Sequence, residues 1–439
     1  MGEFKHPETE EAFHENFAQI KPLMNATMAY YESSRCLFCY DAPCITACPT
    51  GIDIPLFIRQ INTGNLNGAA RTIYASNYFG HICGKVCPTE VLCEGACVYN
   101  EQDVKPIEIG RLQSFATTNA METGYQIHHP GDLNGKRVAV VGAGPAGIAC
   151  ACELSSFGYE VDLFEAREHP SGLALYGTAP YKITNDEVLD EVKYLQDQFG
   201  FNMLFNQRIE TKAAFEKLEQ EYDALFLGIG LGNTRPTNTP GENLGNCFGA
   251  TEFIEELKLN PTETHVGKNV VVIGGGNTAM DAASESARMG AEEVTLIYRR
   301  SKEEMRAYGF EFDLAKLVGV QAIFNANVIS IYGDENVERI TCIQTKNADG
   351  KLETIPESEF ELECDMLIRA TGQLKMTSLL DLIGLDHDSR GRIIVDVSSY
   401  QCSNQKYFAG GDAVNGGAEV VNACAEGKKA AQGIHQFLS

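Results

Sequence analysis

The sequence predicts an α/β protein with an α-helical N-terminal domain and two Rossmann-like dinucleotide-binding units. Eight cysteines lie between residues 36 and 97, in a stretch with little strand character. A Gly-x-Gly-x-x-Gly loop opens at Gly142, and a second glycine loop opens at Gly274. Each loop lies between a strand-like apolar run and a helical run, which is the βαβ pattern of dinucleotide-binding folds.

Length and charge limit the possible functions. The 439 residues are enough for about three domains. The formal net charge of −25 argues against a general affinity for nucleic acids or anionic membranes, both of which require a basic surface. The N-terminus lacks the basic and apolar segments of a secretion signal, and no apolar run is long enough to span a membrane. We expect a soluble cytoplasmic protein.

Residue patterns divide the chain into three predicted domains. The runs IPLFIRQINTGNLNGAARTIYASN and GRLQSFATTNAMETG have helical apolar spacing, so residues 1–130 are expected to form a helical domain. A turn-rich segment at residues 128–136 and a Gly/Pro/Asn-rich linker at 230–249 mark boundaries. We assign residues 131–248 and 371–439 to one dinucleotide-binding domain, and residues 249–370 to the other.

The cysteines form two closely spaced runs. The first is Cys36-x2-Cys39-x4-Cys44-x3-Cys48-Pro49, and the second is Cys83-x3-Cys87-Pro88-x5-Cys93-x3-Cys97. In two-cluster ferredoxins the last cysteine before a proline ligates the other cluster. The spacing therefore predicts two [4Fe–4S] clusters. The thiols of the first cluster would be Cys36, Cys39, Cys44 and Cys97; those of the second would be Cys48, Cys87 and Cys93, with Cys83 as the remaining thiol of the runs.

Two other readings of the cysteines are open. Zinc also binds paired cysteine knuckles separated by a spacer. Structural thiols packed as small hydrophobic residues are the third possibility. The Cys-Pro pairs and the nucleotide loops downstream favour iron–sulfur clusters, since clusters carry single electrons and the coenzymes carry pairs.

The first glycine loop predicts a pyrophosphate site at a helix N-terminus. Its residues follow the strand RVAVV and are Gly142, Gly144, Pro145, Ala146 and Gly147. Glu165, about 20 residues on, ends the next strand and is expected to accept hydrogen bonds from an adenosine ribose.

Near the C-terminus, Gly411 and Asp412 precede a helix predicted to begin near Glu419. They are expected to make a second contact to the cofactor of the first loop. Alone, such an acid is more often a turn or helix-cap residue. A helix N-terminus near an isoalloxazine ring would stabilise negative charge on a reduced flavin.

The second glycine loop is the Gly-x-Gly-x-x-Ala variant, and its predicted contact residues are Gly274, Gly276, Asn277, Thr278 and Ala279. Tyr298 stands where the ribose-binding acid stood in the first unit, and Arg299 and Arg300 follow it. Arginine at this strand end accommodates a 2′-phosphate. With Arg306 close by, the pattern favours NADP(H) over NAD(H). The alternative is that these arginines form a solvated face.

With these motifs, the chain resembles the NAD(P)H-oxidising, FAD- and iron–sulfur-containing half of dihydropyrimidine dehydrogenase, which in bacteria is a separate subunit. It is more distantly similar to the glutamate synthase small subunit. The markers are CLFCYDAPCITACPT, GKVCPTEVLCEGAC and PIEIGRLQSFAT. The resemblance implies two dinucleotide domains of the disulfide-reductase-like flavoprotein type, FAD and two [4Fe–4S] clusters. It also implies a hetero-oligomer with an FMN-containing, pyrimidine-reducing subunit.

The resemblance also implies a ligand that spacing does not. It replaces Cys83 with Gln113 as the fourth ligand of the second cluster, beside Cys48, Cys87 and Cys93. Glutamine here is typical of the dihydropyrimidine dehydrogenase branch, and glutamate is typical of the glutamate synthase branch. Lys182 stands where the family usually has arginine next to the flavin, which keeps the charge but loses the planar fork.

Three functions are therefore compatible with these residues. The first is an electron-input subunit that oxidises NAD(P)H through FAD and two clusters and supplies a partner that reduces uracil or thymine. The second is a glutamate synthase-like subunit or an NADPH:ferredoxin oxidoreductase with another acceptor. The third, in a different class, is a cofactor-bearing scaffold without turnover, against which the complete nucleotide loops argue. No catalytic residue is assigned, because the cofactors supply the hydride chemistry.

Overall fold

The computed structural model describes residues 4–348 and 350–439. Contacts between Cα atoms group the chain into two compact units. The smaller unit consists of Met1–Gln19, Tyr176–Tyr181 and Gly232–Leu374. The larger unit consists of Ile20–Leu175, Lys182–Leu231 and Lys375–Ser439. The cysteine runs and the first glycine loop therefore belong to one unit, and the second glycine loop belongs to the other.

The N-terminal region is helical, as its sequence predicts. Its helices are α1 (Glu10–Asn16), α2 (Ala26–Ser34), α3 (Pro43–Thr46), α4 (Ile54–Asn62), α5 (Leu66–Ser76), α6 (Gly80–Val86) and α7 (Ile109–Glu122). Short 3-10 turns cover Thr89–Val91 and Val98–Gln102. Helix α4 buries residues at positions i, i+3, i+4 and i+7, which makes one apolar face; these are Ile54, Phe57, Ile58 and Ile61.

One predicted helix is in fact two. The run from Ile54 to Asn77 is interrupted between α4 and α5, where Gly64 adopts a φ of +77°. Asn65 then caps α5, because its side chain accepts a hydrogen bond from the Gly68 amide at 3.0 Å. A left-handed glycine followed by an asparagine cap ends one helix and starts the next, although the apolar spacing continues across the break.

The larger unit also contains a parallel five-stranded sheet in the order β13-β4-β1-β2-β3. Its strands are β1 (Arg137–Val141), β2 (Glu160–Phe164), β3 (Asn202–Leu204), β4 (Ala224–Leu227) and β13 (Tyr407–Ala409). The helices between and after these strands are α8 (Pro145–Ser156), α9 (Leu173–Tyr176), α10 (Asn185–Phe199), α11 (Lys212–Glu221), α15 (Thr377–Ile383), α16 (Asp412–Asn415) and α17 (Val420–Leu438).

The smaller unit contains a second parallel sheet, in the order β5-β12-β6-β7-β8, and a three-stranded antiparallel sheet. The parallel strands are β5 (Cys247–Gly249), β6 (Asn269–Ile273), β7 (Glu293–Tyr298), β8 (Gln321–Phe324) and β12 (Met366–Arg369). The antiparallel strands are β9 (Ala326–Tyr332), β10 (Arg339–Ala348) and β11 (Lys351–Glu363), and the helices are α12 (Ala250–Leu259), α13 (Asn277–Arg288) and α14 (Gly309–Leu317). The predicted α/β class with two Rossmann-like units is confirmed.

Among the residues described, no helix combines the length and the hydropathy that crossing a membrane requires.

Glycine allows α17 to pack directly on α8. A methyl group on Gly427 would lie 2.0 Å from the Ala146 carbonyl oxygen, far inside van der Waals contact. The two helices can approach this closely because the position has no side chain. This contact holds the C-terminal helix against the helix that follows the first glycine loop.

We therefore expect Gly427→Ala to lower the free energy of unfolding by about 2–4 kcal/mol, because the backbone clash cannot relax without separating α8 and α17. Gly309→Ala, in the first turn of α14, is the matched control, since nothing lies within 4 Å of an added methyl group there. The control should be neutral or more stable, because alanine favours a helix over glycine by up to about 1 kcal/mol. Thermal unfolding followed by circular dichroism measures both, and equal losses would contradict the packing argument.

Candidate functional site

Four cysteines line one cavity in the larger unit. These are Cys36, Cys39, Cys44 and Cys97, the thiols assigned to the first cluster. The remaining wall is apolar and includes Ile54, Ile58 and Ile107. Apolar walls around convergent thiols keep water away from a bound cluster, which affects its reduction potential. We call these four cysteines the first thiol group.

Burial opposes the ionisation of two thiols of this group, Cys36 and Cys44. It raises the pKa of Cys36, and the neighbouring Cys39 and Cys97 thiols raise it further. Burial also raises the pKa of Cys44 to about 12, again with help from Cys36 and Cys97. Like charges at short range disfavour one another, so the four thiolates need positive charge between them. A bound iron–sulfur core supplies that charge, and ligation deprotonates a thiol outright.

The four thiols line the wall of one cavity. Among residues 4–348 and 350–439, no group of three or more His, Cys, Asp or Glu side chains is arranged to hold a single metal ion. The donor set and its apolar cavity fit an iron–sulfur cluster.

The second predicted set of cysteines is also brought together. Burial raises the pKa of Cys93, and the next contributions come from Glu94 and from the Cys87 and Cys48 thiols. Cys48, Cys87 and Cys93 are therefore neighbours, although Cys48 belongs to the first run. We call these three the second thiol group. Cysteines of both runs therefore meet in this group, while their division between two clusters stays a prediction.

Gln113 lies on α7 with only 6% of its surface exposed. Its Nε2 donates a hydrogen bond of 2.6 Å to the Gly80 carbonyl oxygen at the start of α6. A carbonyl oxygen can only accept, so this contact fixes the amide orientation and leaves Oε1 as the atom that could ligate iron. That Gln113 binds the second cluster stays a prediction.

Two glycines bring α6 and α7 together. A methyl group on Gly84 would lie 2.8 Å from the Gly110 carbonyl oxygen, and one on Gly110 would lie 2.6 Å from the Gly84 carbonyl oxygen. Helix α6 precedes Cys87 directly, and α7 carries Gln113. This reciprocal contact fixes the helix with the candidate amide ligand against the helix that leads into the second thiol group.

Helix α6 is also anchored by α10. The fully buried Glu191 accepts hydrogen bonds from the amides of His81 (2.5 Å) and Ile82 (2.8 Å) and from the Tyr74 hydroxyl (2.9 Å). One turn earlier, Glu187 pairs with the buried Lys85 ammonium at 3.0 Å. Burial opposes ionisation of Glu187, but hydrogen bonds from His81, Thr184 and Lys85 outweigh it and lower the pKa of Glu187.

Cys83 also lies beside the second thiol group. It is 3% exposed on α6, and burial raises its pKa, followed by its interaction with the Cys87 thiol. Cys83 is therefore a neighbour of this group, and Gln113 lies on the helix that packs against α6. Sequence spacing alone favoured Cys83, and the structure adds the fixed amide of Gln113.

The first glycine loop has the geometry of a dinucleotide site. Gly142 has a φ of +102°, and a methyl group there would lie 2.4 Å from the Gly228 carbonyl oxygen. A methyl group on Gly147 would lie 1.9 Å from the Gly142 carbonyl oxygen. Gly144 caps α8, and Pro145 occupies its first turn. The loop therefore presents the N-terminus of a 12-residue helix, which attracts a pyrophosphate.

Glu165 holds this loop from the neighbouring strand. Its Oε2 accepts a hydrogen bond from the Ala143 amide at 2.8 Å, and its Oε1 accepts one from the Arg167 amide at 2.9 Å. A carboxylate has about four acceptor positions, so two remain for ribose hydroxyls. Glu165 is thus placed for the predicted ribose contact and has a second role in shaping the loop.

Gly411 and Asp412 lie against the same loop. A methyl group on Gly411 would lie 3.0 Å from Ala146 Cβ, so the predicted second contact to the cofactor of the first loop is adjacent to α8. Asp412 Oδ1 accepts a hydrogen bond from the Ala418 amide at 3.1 Å, and burial raises its pKa. The following helix α17 begins at Val420 with Glu419 as its cap, as the sequence predicts. Lys182, 8% exposed, is a buried cation and not a surface charge.

Sequence reasoning missed two residues of the flavin loop. Gly228 directly follows β4 and packs its backbone against Gly142, and a glycine after the apolar run ALFL could have indicated it. Glu426 on α17 accepts hydrogen bonds from the Gly411 amide at 2.7 Å and from Asn415 Nδ2 at 3.1 Å. No local pattern identifies Glu426, because its partners lie 11 and 15 residues away along the chain.

The second glycine loop follows β6 in the smaller unit. Gly274 has a φ of +154°, and a methyl group there would lie 2.6 Å from the Ala370 carbonyl oxygen. The Tyr298 ring covers Gly275, where a methyl group would lie 2.5 Å from the ring. Gly276 caps α13, and its neighbour Asn277 accepts a hydrogen bond from the Tyr308 amide at 3.0 Å. Thr278 is exposed and Ala279 is buried, so the loop is open to solvent on one side.

Three arginines follow this loop on the adjacent strand end. Arg299 and Arg306 are exposed and Arg300 is half-buried. None of the three forms an ion pair with a residue that the structure describes. The backbone of Arg306 is bonded to the loop itself, since its amide donates to the Gly275 carbonyl oxygen at 2.9 Å. The segment is therefore positively charged and fixed beside the loop.

Two thiol groups and two dinucleotide loops define an iron–sulfur flavoprotein that oxidises or reduces nicotinamide coenzymes. Residues 13–125 match the family described as dihydropyrimidine dehydrogenase domain II, 4Fe-4S cluster. Residues 136–427 match the pyridine nucleotide-disulphide oxidoreductase family. The chain belongs to this family and is an NAD(P)H-dependent oxidoreductase subunit that uses FAD and iron–sulfur chemistry.

Individual relatives are consistent with that assignment. The chain is 32% identical over 422 residues to the NAD-dependent dihydropyrimidine dehydrogenase subunit PreT of Salmonella typhimurium, covering 96% of this chain and 97% of that protein. It is 32% identical over 445 residues to the glutamate synthase (NADPH) small chain of Escherichia coli. That match covers 96% of this chain and 94% of the relative. Among solved structures, Mycobacterium tuberculosis FprA in complex with NADPH shares the fold, with 18% identity, a TM-score of 0.58, and coverage of 69% of this chain and 84% of that one.

Glu165→Ala should weaken FAD binding by about tenfold or more, because a hydrogen bond to a charged group contributes about 1.5–3 kcal/mol and this carboxylate accepts one from the Ala143 amide of the loop. Glu160→Ala, at the exposed start of the same strand, is the matched control. The measurement is the ratio of FAD to protein after gel filtration. Equal FAD retention by the two variants would show that Glu165 does not hold the cofactor loop.

Proposed function

We propose that this chain is the electron-input subunit of a dihydropyrimidine dehydrogenase. In this role it oxidises NAD(P)H through FAD and relays electrons through two [4Fe–4S] clusters to a partner subunit. That partner would carry FMN and reduce uracil or thymine to the 5,6-dihydro form. The observation that carries the proposal is the buried Gln113, whose amide is fixed on the Gly80 carbonyl oxygen at the start of the helix that leads into the second thiol group.

Two clusters are supported by the separation of the cysteines into two groups. The first thiol group provides four thiols around one cavity. The second provides three neighbouring thiols and, with Gln113, an amide oxygen. Each set can supply the four ligands that a [4Fe–4S] cluster requires. Fifteen free thiols are also in keeping with a reducing compartment such as the cytoplasm.

The protein's own groups contribute binding and orientation. The glycine loops and helix N-termini would hold the two pyrophosphates, and Glu165 would hold a ribose of the flavin nucleotide. Asp412 and Glu426 fix the loop before α17, whose N-terminus would stabilise negative charge on a reduced flavin. The bound cofactors supply the hydride and single-electron chemistry.

The main alternative is a different electron acceptor. Sequence identity does not distinguish the two kinds of acceptor, because the dihydropyrimidine dehydrogenase and glutamate synthase relatives are both 32% identical to this chain. Gln113 favours the pyrimidine branch over a glutamate synthase-like subunit or a ferredoxin reductase. A scaffold without turnover is disfavoured by the intact geometry of both glycine loops.

The decisive experiment uses the native complex, purified anaerobically through a tag on this chain. With NADPH or NADH, the complex should consume uracil, and the isolated chain should bleach its flavin and clusters without consuming uracil. Uracil loss is measured by absorbance or chromatography. Bleaching by coenzyme without uracil loss in the complex would exclude the pyrimidine acceptor and leave the alternative of another acceptor.

Coenzyme choice is a separate prediction. The relatives differ in name, one being NAD-dependent and the other using NADPH. Three arginines without a carboxylate partner among the described residues favour a 2′-phosphate, and hence NADP(H).

We expect Arg299→Ala and Arg300→Ala each to raise KM for NADPH by about tenfold, because each substitution would remove one charge-assisted contact to the 2′-phosphate. KM for NADH should hardly change. Arg339→Ala is the control, since this exposed arginine lies on β10 and pairs with Glu361. Steady-state flavin reduction with both coenzymes measures the effect. An equal change in both KM values, or none in either, would contradict a 2′-phosphate site.

A further inference from the structure

The segment that carries the three arginines is bonded to the antiparallel sheet. This segment, residues 298–306, leads from the end of β7 towards α14, and we call it the arginine segment. The Thr345 hydroxyl on β10 donates a hydrogen bond of 2.8 Å to the Arg299 carbonyl oxygen. The Asn325 amide, between β8 and β9, donates one of 3.0 Å to the Arg300 carbonyl oxygen. Both arginines therefore have their backbone fixed by residues from outside the segment.

The two supporting residues lie at irregular positions of the sheet. Asn325 has a φ of +55°, a left-handed conformation that asparagine tolerates better than most residues. The pairing of β10 with β11 shifts register between Ile343 and Thr345, and the intervening Gln344 amide donates to the Ser358 hydroxyl at 3.0 Å. Such bulges redirect side chains and are frequent beside functional sites. Thr345, 3% exposed, also donates its amide to the Asn325 carbonyl oxygen at 2.8 Å, so the two supports are bonded to each other.

A further contact from β10 fixes a carboxylate within the arginine segment. Asn347 Nδ2 donates a hydrogen bond of 2.6 Å to Glu304 Oε1, and Asn347 Oδ1 accepts one of 3.0 Å from the Gly350 amide. Because a backbone amide can only donate, this second bond fixes the orientation of the Asn347 side chain. The other oxygen of Glu304 accepts a hydrogen bond from the Ser301 amide at 3.3 Å. Both oxygens of Glu304 are thus bonded to donors other than arginine.

The position of the Glu304 carboxylate matters because it follows Arg300 closely in the chain. If released, it would compete with a phosphate for the guanidinium groups and would repel the phosphate by its like charge. In the part of the chain that the structure describes, no ion pair joins Glu304 to an arginine of the segment. The arginines therefore keep their charge available to a ligand. The end of the segment stays bonded to the glycine loop through the Arg306 amide.

Given the proposed 2′-phosphate site in the arginine segment, we propose that Thr345 and Asn347 are positioning residues that set the preference for NADP(H). Thr345 holds the backbone of Arg299, so that its guanidinium group needs less ordering when a phosphate binds. Asn347 keeps the Glu304 carboxylate engaged, so that it does not neutralise the arginines. The antiparallel sheet thereby acts on coenzyme choice through the arginine segment.

The test measures coenzyme binding, which does not depend on turnover. The full-length protein, loaded with FAD and iron, is titrated in its oxidised state with NADP+ and with NAD+ in an isothermal titration calorimeter. The two coenzymes differ only in the 2′-phosphate, and in their oxidised forms they transfer no hydride. The ratio of the two Kd values gives the preference for the phosphate.

Thr345→Val and Asn347→Ala should each lower the preference for NADP+ over NAD+ by about fivefold, the effect of about one ordinary hydrogen bond. The Kd for NAD+ should change little, because NAD+ has no 2′-phosphate to contact the arginines. Thr341→Val is the matched control, since this threonine lies earlier on the same strand, and it should leave both Kd values unchanged. Asn347 is exposed, so its substitution does not require a core to repack.

A pair of double substitutions tests the role of the Glu304 carboxylate. In a Glu304→Gln background, Asn347→Ala should lower the preference little further, because no carboxylate remains to pair with the arginines. In a Glu303→Gln background, which removes the neighbouring exposed glutamate, Asn347→Ala should keep its full effect. A substitution that merely loosened the fold would act equally in both backgrounds.

Three results would decide against these roles. Equal weakening of NADP+ and NAD+ binding would show that Thr345 and Asn347 are only structural. Loss of the preference in Arg299→Ala but in neither positioning variant would keep the 2′-phosphate site and remove the positioning roles alone. If the unaltered protein bound NADP+ no better than NAD+, the 2′-phosphate site itself would be refuted, and the positioning roles with it.

Discussion

The larger unit depends on the burial of one carboxylate. Glu191 is fully enclosed, yet it accepts hydrogen bonds from two amides at the start of α6 and from the Tyr74 hydroxyl. Burying a carboxylate costs several kcal/mol unless such partners replace water, and the positive end of a helix adds to the compensation. Through this contact the helix that leads into the second thiol group is bonded to a helix of the flavin sheet. This explains why the helical region and the flavin domain form one compact unit.

The second constraint is the close approach of backbone segments to one another. Glycine permits it between packed helices and in both nucleotide loops. Gly84 and Gly110 bring α6 against α7, and Gly427 brings α17 against α8. In both glycine loops the first glycine has a positive φ and lies against a carbonyl oxygen of a neighbouring strand end. A cofactor site that relies on backbone amides needs such proximity, because any side chain would hold the backbone away from the phosphates.

The two thiol groups show how burial prepares a cluster site. Enclosure raises the pKa of Cys36, Cys44 and Cys93, so these thiols resist ionisation on their own. Binding of an iron–sulfur core would reverse this preference, since the metal would replace the protons and neutralise the thiolates. The apolar wall of the first thiol group would also shield a bound core from water.

The sequence alone predicted the fold class, the two glycine loops and the helical N-terminus, and it assigned seven cysteines to two groups. These features are local, since a turn, an amphipathic helix or a cysteine spacing is encoded within a few residues. It did not indicate the roles of Gly228, Glu426 and Glu191, or the break at Gly64. The first three depend on contacts between residues far apart in sequence, such as Glu191 with the amides of His81 and Ile82, which become neighbours only when the helices pack on the flavin sheet. The break at Gly64 is local, but the apolar spacing that continues across it conceals it. Gln113 needed both kinds of information. A family resemblance indicated the residue, and the tertiary structure shows that the Gly80 carbonyl oxygen fixes the orientation of its amide.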